Sequence, residues 1–295
     1  DEGTVPLHVV ADAIEVAVGG RRVRVTNPDK VYFAERGITK GDVVRYFLSV
    51  GDGILAAVQD RPTMLERWPG GMAGSAIFQR RVATGVPDWV QTAADGVYPT
   101  ELAVVAWAAS LGTLRFHPSP VRRTNLECPD ELRIDLDPQP GTGFREAVAV
   151  AAELRGLLAE HDLIGFPKTS GGRGVHVAVP ILPRWTYPDV GRAQETLARE
   201  LVGRMPRQAT TERRKRERGE RVYVDHGQFL VAAAYSIRPT ARATVSAPVT
   251  WDELEAAEPE DFDVTTMPAR FAALGDLQAG LGDDARSIES LLRAA

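Results

Sequence analysis

The sequence predicts an α+β fold, with mixed or antiparallel sheets flanked by helices, in a single domain over residues 1–295. Three observations lead there. Short runs with two-residue alternation recur along the chain, and longer stretches of 3.6-residue periodicity lie between them. Strands and helices interleave without strict βαβ regularity, which suggests α+β or mixed α/β architecture. No internal repeat, low-complexity tract or long linker divides the chain, and 44% hydrophobic residues suffice for a substantial core.

Taken in order, residues 13–26 alternate around Gly19-Gly20, with Ile14, Val16, Val18, Val23 and Val25 marking a β-hairpin. This hairpin closes an N-terminal segment, residues 1–26, that either joins the core or lies over it. Thr39 caps a helix running to about Gln59, with Asp42 in its first turn. Strands are expected at Thr63–Trp68 and Thr113–His117, with a helix near Glu101–Leu111 between them. A strand through Leu132–Asp137 leads into an amphipathic helix, Phe144–Glu160. Pro167–Thr169, a glycine turn and a strand at Val175–Ile181 follow, then a helix over Pro188–Arg204. Val222 and Val224 alternate with Arg221, Tyr223 and Asp225 on another strand, and a loop-rich tail closes with a helix at Asp284–Leu292.

Composition narrows the function classes. One cysteine, Cys128, excludes an internal disulfide framework and a thiolate metal cage, and fits a reducing cytoplasm. No long uncharged apolar run suggests a membrane span or secretory segment. The net charge of −5 runs against a nucleic-acid partner as a total. Phosphate binding is local, however, and basic residues cluster at Arg80-Arg81, Arg122-Arg123 and Arg213–Arg218. Each such run is equally compatible with a solvated surface.

Chemistry concentrates in three segments. In Leu132-Arg-Ile-Asp-Leu-Asp-Pro138, alternation turns three aliphatics to one face and Arg133, Asp135 and Asp137 to the other. Adjacent carboxylates repel unless a cation lies between them, and oxygen-only ligands select hard ions such as Mg²⁺ or Mn²⁺. By itself the pair also fits a strand ending in solvated acids before a proline turn. In Lys168-Thr-Ser-Gly-Gly-Arg-Gly-Val-His176, three glycines let backbone N–H groups approach an anion, with Ser170, Arg173 and His176 beside them. A glycine hairpin with a satisfied histidine reads the same pattern equally well, and the segment matches neither a Walker A loop nor a dinucleotide fingerprint. In Arg221–Asp225, Asp225 closes an alternating strand and offers a third carboxylate for a two-metal phosphoryl-transfer site.

The collinear order Asp-x-Asp-Pro, Ser-Gly-x-x-Gly-x-His and Val-Asp resembles the archaeo-eukaryotic primase superfamily. More closely, the chain is similar to the polymerase domain of bacterial ligase D and its stand-alone relatives. The likeness also takes in Val25–Lys30, Thr39-Lys40, Arg67-Trp-Pro69, Tyr235–Arg238 and Thr244–Pro248. It implies a primase-like catalytic core in which Asp135, Asp137 and Asp225 bind two catalytic ions, Mn²⁺ or Mg²⁺. Ser170, Arg173, His176, Arg238 and His117 would contact the nucleoside triphosphate. Lys30 and Lys40 would hold the 5′-phosphate of a gap or break, Phe78 would stack on base, and Arg67 would complete the DNA contacts. Three departures stand out: Glu66 where relatives carry lysine, Ile77-Phe78 in place of a phenylalanine pair, and a short apolar segment His226–Ala234.

The expected function is thus a template-directed, primer-dependent nucleotidyltransferase that fills short gaps during bacterial DNA repair, with ribonucleotides preferred. Its partners would be gapped or broken DNA and a separate DNA ligase, and its place the bacterial cytoplasm at the nucleoid. The alternatives are a primase-polymerase that starts strands or joins ends, a DNA gap- or end-binding module with vestigial chemistry, and a metal-dependent nuclease.

Overall fold

The computed structural model describes residues 8–10, 12–81, 85–227 and 229–294. Residues 1–7 of the N-terminal segment and Gln228 of the short apolar segment lie outside the described residues. The chain packs into two compact units, and neither is a continuous stretch. One comprises residues 1–118, 232–245 and 262–276, the other residues 119–231, 246–261 and 277–295.

In the first unit, β1 (His8–Val10), β2 (Ala13–Val18) and β3 (Arg21–Thr26) form an antiparallel sheet. Val16, Val18, Val23 and Val25 are buried, and the hairpin packs against α3 (Leu102–Ser110), so it belongs to this unit's core. A small pair, β4 (Val31–Phe33) and β5 (Ile38–Thr39), leads into α1 (Lys40–Ser49). Thr39 caps α1 as expected: its hydroxyl accepts from the Asp42 N–H, and Asp42 accepts from the Thr39 N–H. The single helix expected to Gln59 breaks at Val50 and restarts as α2 (Gly51–Val58). The restart falls where the helices pack closely: a Cβ on Gly51 would stand 2.6 Å from Leu102 Cδ2 of α3. The unit's larger sheet comprises β6 (Thr63–Arg67), β7 (Ile77–Gln79), β8 (Gln91–Ala93), β9 (Gly96–Tyr98) and β10 (Thr113–Pro118).

The second unit is organised around β11 (Glu131–Pro138). After α4 (Phe144–Glu160) come β12 (Phe166–Thr169), β13 (Val175–Pro180), α5 (Tyr187–Arg204), β14 (Ala209–Thr210) and β15 (Val222–Asp225). The sheet order is β12-β13-β11-β15-β14, antiparallel except for the β14–β15 pair. Leu132, Ile134 and Leu136 are fully buried, and α4 and α5 pack against β11 and β15. The tail holds more helix than expected, at Trp251–Ala256 and Met267–Leu274. Its closing helix is shorter, Glu289–Arg293, because the backbone at Arg286 is spent on bridging Pro180 and Leu182. Among the described residues, no helix is long and apolar enough to cross a membrane.

Candidate active site

Strand pairing sets Asp135 directly opposite His176 of β13 on one side and Asp225 of β15 on the other. Residues opposite one another in an antiparallel pair project from the same face, and Asp137 shares that face two residues on. Lys168 of β12 stands opposite His176 in turn. One row across four strands therefore reads Lys168, His176, Asp135, Asp225, and Asp137 faces Tyr223 in the next row.

The acids are partly or fully exposed on this face. His176 Nε2 lies 3.5 Å from Asp135 Oδ1. Gln139 donates to Asp137 Oδ2 at 3.1 Å, and the Gly227 N–H donates to Asp225 Oδ1 at 3.2 Å. Carboxylate oxygens are the hard donors that Mg²⁺ or Mn²⁺ takes, so the residues fit such an ion. Among the described residues, no three His, Cys, Asp or Glu side chains are drawn into a closed cage. Repulsion accounts for that spacing: carboxylates facing across a ladder keep apart unless a cation joins them.

The glycine turn is shaped differently from an open anion nest. Ser170 is buried, and its Oγ accepts from the N–H groups of Gly172 (3.2 Å) and Gly174 (3.1 Å). Two donors expected to face an anion are thus turned inward to the serine. Gly174 is required by proximity, since a Cβ there would lie 2.8 Å from the Leu136 carbonyl oxygen. Arg173 donates to the carbonyls of Thr142 (3.3 Å) and Pro138 (3.4 Å), which ties it to the backbone just after Asp137.

Lys168, which opens the glycine motif, is buried, and its Nζ lies 2.6 Å from His176 Nδ1 and 2.7 Å from Ser246 Oγ. Ser246 donates to the Thr169 carbonyl at 2.7 Å, so the Thr244–Pro248 segment braces β12. Beyond Asp225 lies a cleft of about 530 Å³ lined by Arg213, Tyr223, His226, Phe229 and Leu230 among others. The Arg218 guanidinium lies over the Tyr223 ring, 3.4 Å from its centroid. Burial, and then the negative charge of Asp225, push the Tyr223 phenol up. Burial likewise pushes the His226 imidazole down. The short apolar segment is anchored through Phe229, whose ring meets Tyr187 edge-on at 5.0 Å and whose carbonyl accepts from Arg133 at 3.0 Å.

The remaining candidates lie in the first unit. His117 Nε2 is 2.9 Å from Glu66 Oε2, and Arg115 NH1 is 3.1 Å from the same oxygen. Burial alone would raise the Glu66 carboxyl, but the His117 hydrogen bond and the Arg115 charge outweigh it and hold the carboxyl below its usual range. Glu66 is thus the buried partner of a candidate nucleotide-contacting histidine, a pairing that β6–β10 register creates and the sequence does not display. Phe78 is 61% exposed and pairs with Glu66 across β6–β7, on the same face as His117. Arg67 points from the opposite face, hydrogen-bonded to Gln79 and to the Leu111 carbonyl. There it joins Lys30 and Lys40. Burial, then the charges of Lys30 and Arg67, lower Lys40 to about 8. Lys40 Nζ donates to the Thr26 carbonyl and Lys30 Nζ to the Pro69 carbonyl. Arg238 is half-buried, with its backbone N–H donating to Thr244.

Acids gathered on one face of a mostly antiparallel sheet, beside a cation-bearing glycine turn and backed by helices, are the residue types that divalent-ion-assisted phosphoryl transfer uses. The family model for the LigD primase-polymerase domain matches residues 39–278. The multifunctional non-homologous end joining protein LigD of Mycolicibacterium smegmatis is 32% identical over 284 residues, covering 92% of this chain. The bifunctional non-homologous end joining protein LigD of Bacillus subtilis is 29% identical over 264 residues, covering 86%. The chain spans 37% and 43% of the length of these two proteins. The polymerase domain from Mycobacterium tuberculosis ligase D, solved in complex with DNA, matches with a TM-score of 0.79 at 30% identity. That match covers 90% of this chain and 99% of the solved one. The chain belongs to the LigD primase-polymerase domain family. The resemblance carried by the motifs and the α+β fold are both borne out.

Proposed function

We propose that this chain is a gap-filling polymerase of bacterial DNA repair, adding nucleotides, ribonucleotides by preference, to a primer 3′-hydroxyl opposite a template. The observation that carries the reading is the row Lys168, His176, Asp135, Asp225 with Asp137 alongside. Asp135, Asp137 and Asp225 would hold two divalent ions, Mn²⁺ or Mg²⁺. Bound there, the ions supply charge stabilisation for the attacking and departing oxygens of an in-line displacement.

The chain's own residues then bind and orient. Ser170, whose oxygen accepts two backbone N–H groups, keeps its hydroxyl hydrogen to donate to a phosphate. Arg173, tethered through two of its five N–H donors, turns the others toward the triphosphate. His176 meets the phosphates beside Asp135. Lys30, Lys40 and Arg67 crowd positive charge that a 5′-phosphate relieves; burial first, and then the charges of Lys30 and Arg67, depress Lys40. Phe78 offers an exposed ring for stacking, typically worth about 1–3 kcal/mol per base.

The relatives are non-homologous end joining proteins, and by that likeness this chain acts at gaps and breaks at the nucleoid, with a DNA ligase sealing the product. The test is extension of a labelled primer across a short 5′-phosphorylated gap with Mn²⁺, comparing ribo- with deoxyribonucleotides. Template-dependent addition that disappears in Asp137→Ala supports the reading. Tight gap binding without addition under any divalent ion would replace it with a DNA-binding role.

A further inference from the structure

We propose that Lys168 is a positioning residue that fixes the tautomer of His176, placing the ring hydrogen on Nε2, the nitrogen that faces the carboxylates. This rests on the reading of His176 as a nucleotide contact and adds the group that prepares it. A lysine ammonium has three donors and no acceptor. With Lys168 Nζ at 2.6 Å, His176 Nδ1 has to accept, and an imidazole accepting at one nitrogen carries its hydrogen on the other. Nε2, 3.5 Å from Asp135 Oδ1, then presents an N–H on the face where the acids gather.

The lysine is itself held in place. It is buried at 6% exposure, and Ser246 Oγ accepts from it at 2.7 Å while donating to the Thr169 carbonyl at 2.7 Å. Donation runs outward from Lys168 in two directions, through Ser246 to the Thr169 carbonyl and through His176 to the acid face. A histidine whose distal nitrogen is fixed in this way delivers its hydrogen at a set place and angle, as the outer partners of metal-bound imidazoles do. Strand register makes the arrangement obligatory, because Lys168 and His176 are directly opposed on β12 and β13.

The experiment reads the ring first and activity second. The chain has 5 histidines, and long-range proton–nitrogen correlation of the labelled wild-type protein resolves their tautomers, with His176 assigned by its loss in His176→Gln. The expected result is the Nε2–H form in wild type and in Lys168→Arg, which keeps a donor, and a mixture in Lys168→Met. In gap extension, Lys168→Met should raise the KM for ATP opposite thymine by about tenfold, the lower range for lost outer partners, with kcat nearly unchanged. An Nδ1–H ring in wild type overturns the proposal, as does a Lys168→Met protein with unaltered ring signals and KM. If Lys168→Met does not fold, the wild-type and Lys168→Arg spectra decide. Failure of the wild-type protein to add any nucleotide would sink the polymerase reading alone, since the ring spectrum stands without turnover.

Discussion

On β6 and β10, Glu66 faces Arg115 across the ladder and meets His117 at 2.9 Å, whereas on β11 and β15, Asp135 faces Asp225. Both sheets put charge on one face opposite an apolar one, so alternation alone does not separate them. The first cluster brings its own cations and is nearly closed, with Glu66 2% exposed. The second sets acid against acid in partial contact with water. Like charges directly opposed destabilise a sheet, and here His176 stands beside Asp135 on the same row. The two clusters differ in what surrounds the carboxylate: Glu66 is closed in by Arg115 and His117, whereas Asp135 meets His176 at 3.5 Å on a face open to water, which is where we propose the ions bind.

The sharpest way to break this contrast is at the acids. Asp137→Ala should lower nucleotide addition by about a thousandfold or more, since ion-mediated stabilisation is worth several kcal/mol. Primer extension under single-turnover conditions measures it, and near-normal rates would remove the carboxylates from the chemistry. Asp135→Asn should also separate stability from activity. Without divalent ions it should be slightly more stable than wild type, by about 0.5 kcal/mol, because a like-charge pair is gone. Added Mn²⁺ should raise the Tm of wild type and leave that of Asp135→Asn nearly unmoved.

In the neutralised cluster the sign reverses. Glu66→Ala should cost about 2 kcal/mol, because it strands Arg115 and His117 beside a buried site that Arg115 only partly leaves. Chemical denaturation at neutral pH checks it. Glu66 is held below its usual value, so its contribution is complete above the unfolded value near about 4 and is lost as pH falls through the folded one. The acid limb of the stability curve should therefore flatten in Glu66→Ala.

A smaller effect is expected at Lys40, lowered to about 8. Binding of a 5′-phosphorylated gap should weaken as pH rises past that value, while Lys40→Arg should hold its affinity; fluorescence anisotropy would show it. Between there and the ordinary lysine value of about 10.5, the unfolded chain holds a proton that the folded one lacks, so stability rises with pH. The smallest expected difference lies between the two compact units. Because neither is continuous in sequence, we propose that they unfold together, and separate transitions in the near- and far-ultraviolet signals would contradict a single domain.

Much of this was legible in the chain. Alternation alone sorted the faces of β11, the Thr39 cap sat where expected, and Phe144–Glu160 matches the helix to the residue. What remained hidden depended on register and packing rather than on local pattern. The helix break at Val50 lies beside the close approach of Leu102 to Gly51, a contact more than 50 residues away that no local pattern displays. Glu66 was visible as a misplaced charge, but its partner His117 is 51 residues on. Ser170 promised an open nest and instead fills it, because its hydroxyl outcompetes any distant ligand for the two nearest N–H groups.

The brace on Lys168 also has a consequence in time. Ser246 lies 78 residues downstream of Lys168, a stretch that takes roughly 4 to 16 s to make at ordinary bacterial elongation speeds. Until it emerges from the ribosome, β12 and β13 can pair but the lysine has no Ser246 to rest on. The contact between Lys168 and His176 therefore lacks its brace while Asp135, Asp137 and Asp225 have already been made.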